Sequence, residues 1–269
     1  MTKTILVTGA TDGIGLETAK LLRSEGHDLL LHGRSEGKLA KVASEIKAMA
    51  GGGRVATYLA DLSSIRATRE LAREVLENEA VLDVLINNAG VFGSPVERTA
   101  DGLDLRFAVN TIAPYVLAKS LAPLLGSDGR VVNLSSAAQA PVDLAALHGK
   151  RRMSDNEAYS QSKLALTMWN AALAEKYGKE GPVFIAVNPA SLLGSKMVKE
   201  AYGMAGKDLS IGAEILARAA TDPAFSEANG RYFDNDAGRF ANPHPDAMNP
   251  QKNAALVAAI EDILSASVE

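Results

Sequence analysis

The feature that most constrains this chain is its opening. An apolar run, Lys3-Thr4-Ile5-Leu6-Val7, passes through Thr8-Gly9-Ala10-Thr11-Asp12-Gly13-Ile14-Gly15 and straight into a helix-forming segment. Glycines at such a turn let the backbone bend sharply and approach a pyrophosphate, while the unbonded N–H groups and dipole of the helix start attract its charge. The spacing Gly-x-x-x-Gly-x-Gly departs from Gly-x-Gly-x-x-Gly, but its place between a first strand and a first helix is the context a dinucleotide site requires. Gly9, Thr11, Asp12, Gly13, Ile14 and Gly15 are therefore candidate cofactor contacts, against the plainer reading of an ordinary Gly-rich turn.

The rest of the chain alternates short β-branched runs with helix-period segments, the pattern of a parallel sheet with crossover helices. Strands are expected at 3–7, 28–32, 55–59, 82–86, 130–134, 183–187 and 231–233, and helices near 13–25, 36–49, 63–79, 102–125, 157–177, 208–220 and 251–265. The expectation is an α/β fold, a Rossmann-type doubly wound parallel sheet of seven strands with helices on both faces, forming a single domain over 1–269. Its ligand crevice lies beyond the carboxyl ends of the strands. Two unassigned stretches, about 137–156 and 189–207, follow strand ends and should border that crevice; 242–250, rich in Asn and Pro, reads as a turn region.

Composition narrows the chemistry. A formal charge of -4 without long runs of Lys or Arg argues against a nucleic-acid partner. The absence of Cys excludes disulfides, thiolate metal sites and Cys nucleophiles, and His148 lacks a metal-ligand pattern, so no metal is expected. No apolar run approaches the ~20 residues of a membrane span, and the Gly motif begins too early for a leader, so the expected location is cytoplasmic.

Tyr159 and Lys163 stand four apart in a helical pattern, so their side chains emerge on one face. A free phenol titrates near pH ~10; an adjacent ammonium favours the phenolate, which suits proton exchange at a carbon–oxygen bond. Alone, such a pair is common on solvated faces, and Ser135-Ser136 after the fifth strand would read as a helix cap. At the end of the second strand stands His32-Gly33-Arg34-Ser35, with no carboxylate for an adenosine ribose and Arg34 suited to a 2′-phosphate. NADP(H) is therefore preferred, with NAD(H) possible.

Thr8-Gly-x-x-x-Gly-Ile-Gly15, Asn87-Asn88-Ala89-Gly90, Asn110, Ser135-Ser136 and Tyr159-x-x-x-Lys163, in this order, resemble the motifs of short-chain dehydrogenases/reductases across nearly the whole chain. The resemblance implies that Tyr159 exchanges the proton, Ser136 hydrogen-bonds the developing alkoxide, Lys163 binds the nicotinamide ribose and tunes Tyr159, and Asn110 holds a water. It places Asp61 and Leu62 by the adenine, Asn88, Ala89 and Gly90 by the adjoining ribose, and Pro189, Ser191 and Leu192 beside the cofactor as well. Asp61 has an alternative as the cap of the helix near Ser63. NADP-using relatives often carry a basic residue where Asp12 stands.

Ser136 and Tyr159 lie 23 positions apart, against the roughly dozen usual in the family. That added loop, the phrase Asn188-Pro-Ala-Ser-Leu-Leu-Gly-Ser-Lys196 and Gly230-Arg-Tyr-Phe233 are similar to the branch of retinol dehydrogenases and protochlorophyllide reductases. Ala190 replaces the usual Gly, and Ser195 a Thr that often contacts the cofactor phosphates. The loops mix Leu144, Leu147, Met153, Met197, Tyr202 and Met204 with Lys150-Arg151-Arg152, consistent with a small, fairly apolar alcohol or carbonyl substrate. An epimerase or dehydratase and a non-catalytic NAD(P)-sensing regulator are the alternatives; the first usually has a larger C-terminal part, and the second usually loses Tyr or Lys. Leu166, Met168 and Trp169 fall on more than one side of their helix, which points to a homodimer or homotetramer.

Overall fold

Most strands are unbroken apolar stretches, as strands covered on both faces must be. In the computed structural model, which describes residues 1–194, 198, 199, 203 and 205–267, they are β1 Thr4–Val7, β2 Asp28–Gly33, β3 Val55–Leu59, β4 Val84–Asn87, β5 Arg130–Leu134, β6 Val183–Asn188, β7 Tyr232–Asp234 and β8 Arg239–Ala241. The sheet order is β3-β2-β1-β4-β5-β6-β7-β8, parallel through β7. The order in which strands are added reverses between β1 and β4, so the ligand crevice opens there. The expected seven strands fall one short: β8 returns antiparallel to β7. A strand of three residues has too little alternation to register as one.

The long helices are α1 Gly13–Ser24, α2 Glu36–Ala48, α3 Ile65–Asn78, α4 Leu105–Leu125, α5 Asp155–Tyr177, α6 Ser210–Thr221 and α7 Pro250–Ala266. One face of the sheet packs on α1, α2 and α6 through residues such as Leu22, Val42 and Leu216, and the other on α3, α4 and α5 through Val75, Leu117 and Trp169, with Ile260 of α7 joining the same core from outside. By length and hydropathy α4 does reach the size of a membrane span, which the run-by-run reading missed, but 78% of that stretch is buried within the protein. Its register is broken by a π turn, Ala108–Ile112.

The C-terminal helix α7 covers α4 and α5. Glu261 accepts from Tyr115 Oη and from Lys119 Nζ, each at 2.5 Å, and Arg69 donates to the carbonyls of Leu264 and Ser267. The two-sided burial of Leu166, Met168 and Trp169 is thus supplied within one chain, and carries no information about a second copy. A buried ladder of amides fixes α5 to the sheet: Asn87 Nδ2 donates to Asn133 Oδ1 (2.8 Å), and Asn133 Nδ2 to Asn170 Oδ1 (2.8 Å).

Candidate active site

The loop from β1 to α1 is built against the loop after β4. Gly9 has φ +65°, and a Cβ there would stand 2.9 Å from Ala89 Cα, so only glycine meets both demands. Asn88 turns its side chain to this loop, donating to the carbonyls of Thr8 (2.8 Å) and Gly9 (3.2 Å), while Thr8 Oγ1 accepts from the Asn88 and Ala89 N–H groups at 3.0 Å each. Asn88 is thus a brace for the glycine loop, and Thr8 is a structural residue that the motif search passed over as a flank.

Asp12 caps α1, its exposed carboxylate accepting from Gly13 N–H at 2.8 Å. Among the described residues no group accepts from the Ile14 or Gly15 N–H. Two open donors at the positive end of a helix, next to a turn that admits no side chain, fit the pyrophosphate of a dinucleotide. Thr11 lies over Gly33, where a Cβ would stand 2.6 Å from Thr11 Cγ2; the next residue, Arg34, is exposed and has no ion pair among the described residues.

Sequence reasoning missed His32 as more than the residue before Gly33. Buried at the end of β2, it accepts from Gly9 N–H through Nδ1 (3.2 Å), and Nε2 faces the carbonyl of Ala60 (3.1 Å), tying three loops together. This pairing assigns the proton to Nε2. Burial pushes its pKa down to about 4, outweighing the Ala60 carbonyl and Asp61. The unfolded chain takes up a proton below the ordinary value of 6.5 while the folded one does not. The stabilisation from His32 is therefore complete above about pH 6.5 and lost as pH falls to about 4, on the order of 3 kcal/mol in all. Urea denaturation at pH 7 and pH 5 should show this loss, and His32→Asn should reduce it; His27, also held low by burial, contributes in the same sense and remains in both proteins.

After β3, Asp61 is exposed and accepts from Ser63 N–H (3.0 Å); the cap of α3 is Ser64, whose hydroxyl accepts from Ala67 N–H. The Leu62 side chain belongs to the core, so only its backbone is left for the contact that the resemblance implies.

At the centre of the crevice, Lys163 is buried and donates from Nζ to the carbonyl of Leu134 at 2.6 Å. Desolvation lowers its pKa to about 8. The ammonium stands 5.7 Å from the ring centroid of Tyr159, which is half-buried and packs against Phe92 at 5.1 Å. A Cβ on Gly90 would lie 3.7 Å from Lys163 Nζ and 3.4 Å from Asn110 Oδ1, so the loop after β4 rests on both. Asn110, on the π turn, donates to the Val91 carbonyl (2.9 Å) and Ser162 Oγ (3.0 Å) and accepts from Val91 N–H (2.8 Å). The two serines differ: Ser135 is buried against Thr167 Oγ1 (2.7 Å), whereas Ser136 is half-exposed, its hydroxyl accepting from Ala138 N–H (3.1 Å). Tyr159, Lys163, Asn110 and Gly90 therefore meet at the ends of β4 and β5, and Ser136 follows two residues after Leu134, whose carbonyl holds Lys163.

Arg106 anchors the start of α5. Fully buried, it reaches Asp104 and Asp155 at 2.8 Å each, and Asp155 lies one turn before Tyr159. After β6, Pro189 is buried, Ala190 has φ +119° and Leu192 φ +59°, and the N–H and hydroxyl of Ser191 are both engaged by Asp236. Ser195, Lys196, Met197, Tyr202 and Met204 lie outside the described residues. In the added loop Arg151 pairs with Asp143 (2.6 Å), and Lys150 and Arg152 are exposed.

Several known proteins resemble this chain. The short chain dehydrogenase family matches residues 3–205. The chain is 32% identical to a short-chain dehydrogenase TIC 32 A, chloroplastic, of Brassica napus, covering 86% of this chain and 79% of that one. It is 30% identical to retinol dehydrogenase 13 of Homo sapiens, covering 86% and 76%. Among solved structures, landomycin C-6 ketoreductase LanV with bound NADP and rabelomycin superposes with a TM-score of 0.67 at 27% identity, covering 87% of this chain and 94% of the other.

Proposed function

Since this chain belongs to the short-chain dehydrogenase family, we propose that it is an NADP(H)-dependent oxidoreductase interconverting a small, fairly apolar alcohol and its aldehyde or ketone. The observation that carries this reading is the placement of Tyr159 beside the buried Lys163 ammonium, at the mouth of the crevice that begins at the glycine loop.

When bound, the nicotinamide supplies or takes the hydride, and the protein handles the proton and the alignment. The N–H groups of Ile14 and Gly15 would hold the pyrophosphate. Tyr159 gives its phenolic proton to the carbonyl oxygen in reduction and takes it back in oxidation. Lys163, pinned to the Leu134 carbonyl, keeps positive charge next to the phenol and favours its ionised form. Ser136, at the exposed end of β5, hydrogen-bonds the oxygen as charge develops on it. Spectrophotometric assay of NADPH oxidation with a panel of apolar aldehydes and ketones tests the reading; tight NADPH binding without turnover of any of them would favour the sensing alternative.

For the cofactor, support comes from Arg34, exposed next to Gly33 and without an ion pair among the described residues, and from the NADP bound to LanV. Asp12 keeps its negative charge while capping α1, so Arg34 has to outweigh it at a 2′-phosphate. Arg34→Ala is expected to lower kcat/KM for NADPH by roughly ten- to hundredfold, the worth of one charge-assisted contact, and to leave that for NADH within about threefold. A wild-type kcat/KM favouring NADH would overturn the preference.

A further inference from the structure

The turn joining β7 to β8 has no part in the chemistry above, yet one of its side chains gathers the polar groups of the segment after β6. Asp236 accepts from Ser191 N–H at 3.0 Å to each carboxylate oxygen, from Ser191 Oγ at 2.5 Å and from Asn188 Nδ2 at 3.1 Å. Its neighbours act on the same stretch: Asp234 accepts from Asn188 Nδ2 (2.9 Å), and Asn235 Nδ2 donates to the Pro189 carbonyl (3.0 Å). The far end of the 189–207 loop also returns here. Lys207 N–H donates to the Leu192 carbonyl and Gly194 N–H to that of Lys207, both at 2.7 Å, and Lys207 Nζ stands 3.6 Å from Asp236.

The stretch held in this way contains both non-glycine residues with positive φ among the described residues, Ala190 and Leu192. An L residue at φ +119° is held against its own preference and persists there only when its surroundings over-determine it. The bonds to Asp236 are of that kind: two donors of one serine, an amide and an ammonium converge on one carboxylate. Burial alone would raise the Asp236 pKa; the bonds from Ser191 and Asn188 and the charge of Lys207 outweigh it and hold the group below the usual carboxylate range. Both oxygens therefore accept at neutral pH.

We propose that Asp236 is a positioning residue, whose carboxylate locks Asn188–Leu192 and the root of the following loop into the shape that meets the cofactor next to Ser136. β6 adjoins β5, whose end carries Ser136, so the locked segment forms the neighbouring wall of the crevice. The inference rests on the reading of that crevice as the cofactor site. It also changes the role of Ser191: its N–H and hydroxyl serve the lock, and the neighbouring backbone and Leu192 are what remain to face a ligand.

The test uses Asp236→Asn, Ser191→Ala and Ala190→Gly, singly and with Asp236→Asn combined with Ala190→Gly. NADPH affinity is read by its fluorescence, steady-state constants by turnover, and amide hydrogen exchange over 188–194 in the absence of cofactor. Asp236→Asn is expected to raise Kd and KM for NADPH about tenfold, the worth of lost bonds to a charged group, with kcat and KM for the carbonyl substrate within about threefold. Exchange at Ser191 should quicken by at least about tenfold, and Ser191→Ala should show a smaller change in the same direction. Ala190→Gly should recover most of the affinity lost in Asp236→Asn, because glycine adopts the conformation without being forced. Unchanged exchange and unchanged Kd in Asp236→Asn would overturn the proposal, as would an equal loss with Gly at position 190. Wild-type protein that binds neither NADPH nor NADH would sink the oxidoreductase reading, whereas the cofactor-free exchange measurement decides the lock by itself.

Discussion

Tyr159→Phe is expected to lower kcat by about 10²–10⁴-fold while Kd for NADPH stays within about twofold. Only the hydroxyl is removed. The ring keeps its place against Phe92, and the main-chain carbonyl of residue 159 still accepts from Ser162 Oγ at 2.7 Å, so neither α5 nor the crevice has reason to move. The glycine loop, its Asn88 brace and the open α1 donors lie on other elements and keep the cofactor site whole. Steady-state turnover with NADPH and a reducible carbonyl, next to fluorescence titration of NADPH, gives both numbers. Residual activity within tenfold of wild type would remove Tyr159 from the proton path.

The second large effect separates activity from stability. Lys163→Met should reduce turnover by at least about 10²-fold, through loss of the charge beside the phenol, and yet leave the protein as stable as before or more so. The argument is one of sign. The folded-state pKa of about 8 lies below the ordinary 10.5, so the folded protein holds the proton less tightly than the unfolded chain. Stability from this group is complete only above about pH 10.5 and is lost as pH falls to about 8, leaving a cost on the order of 3 kcal/mol at neutral pH. Methionine removes that cost but leaves the Leu134 carbonyl without its donor, a loss of about 1–3 kcal/mol. The two nearly offset. Thermal melts at pH 7 should show the Met variant no less stable than wild type; a drop of many degrees would mean that Lys163 serves mainly to hold the fold.

Much of this site was legible because its parts are local. A strand, a glycine turn and a helix follow one another in the chain, and Tyr159 and Lys163 share a helix face by spacing alone. The order of apolar runs likewise announced the parallel sheet, with ends displaced by only a few residues. What stayed hidden depends on partners far apart. His32 looked like one polar residue closing an apolar run, and only folding brings it to Gly9 and Ala60. Asp236 lies 45 positions from Ser191, in a turn whose composition suits any hairpin. The strand it precedes, β8, is recognisable only through its pairing with β7. The burial of Trp169 was visible as a tendency, but which surface covered it was not, since the apolar face of α7 would serve a second copy or its own chain equally well.

The π turn at Ala108–Ile112 has a consequence for how this chain can change. Such a turn accommodates one residue more than an α-helix would over the same length, so the stretches before and after it are rotated relative to one another by about 100°. Leu105 and Phe107 on one side, and Tyr115 and Leu117 on the other, are buried, as is the π turn between them. Deleting a residue here would make a more regular helix and a worse protein. A deletion that kept Asn110 at Val91 and Ser162 would turn one of the flanking stretches away from its present neighbours. Length in this segment is therefore constrained along with residue type.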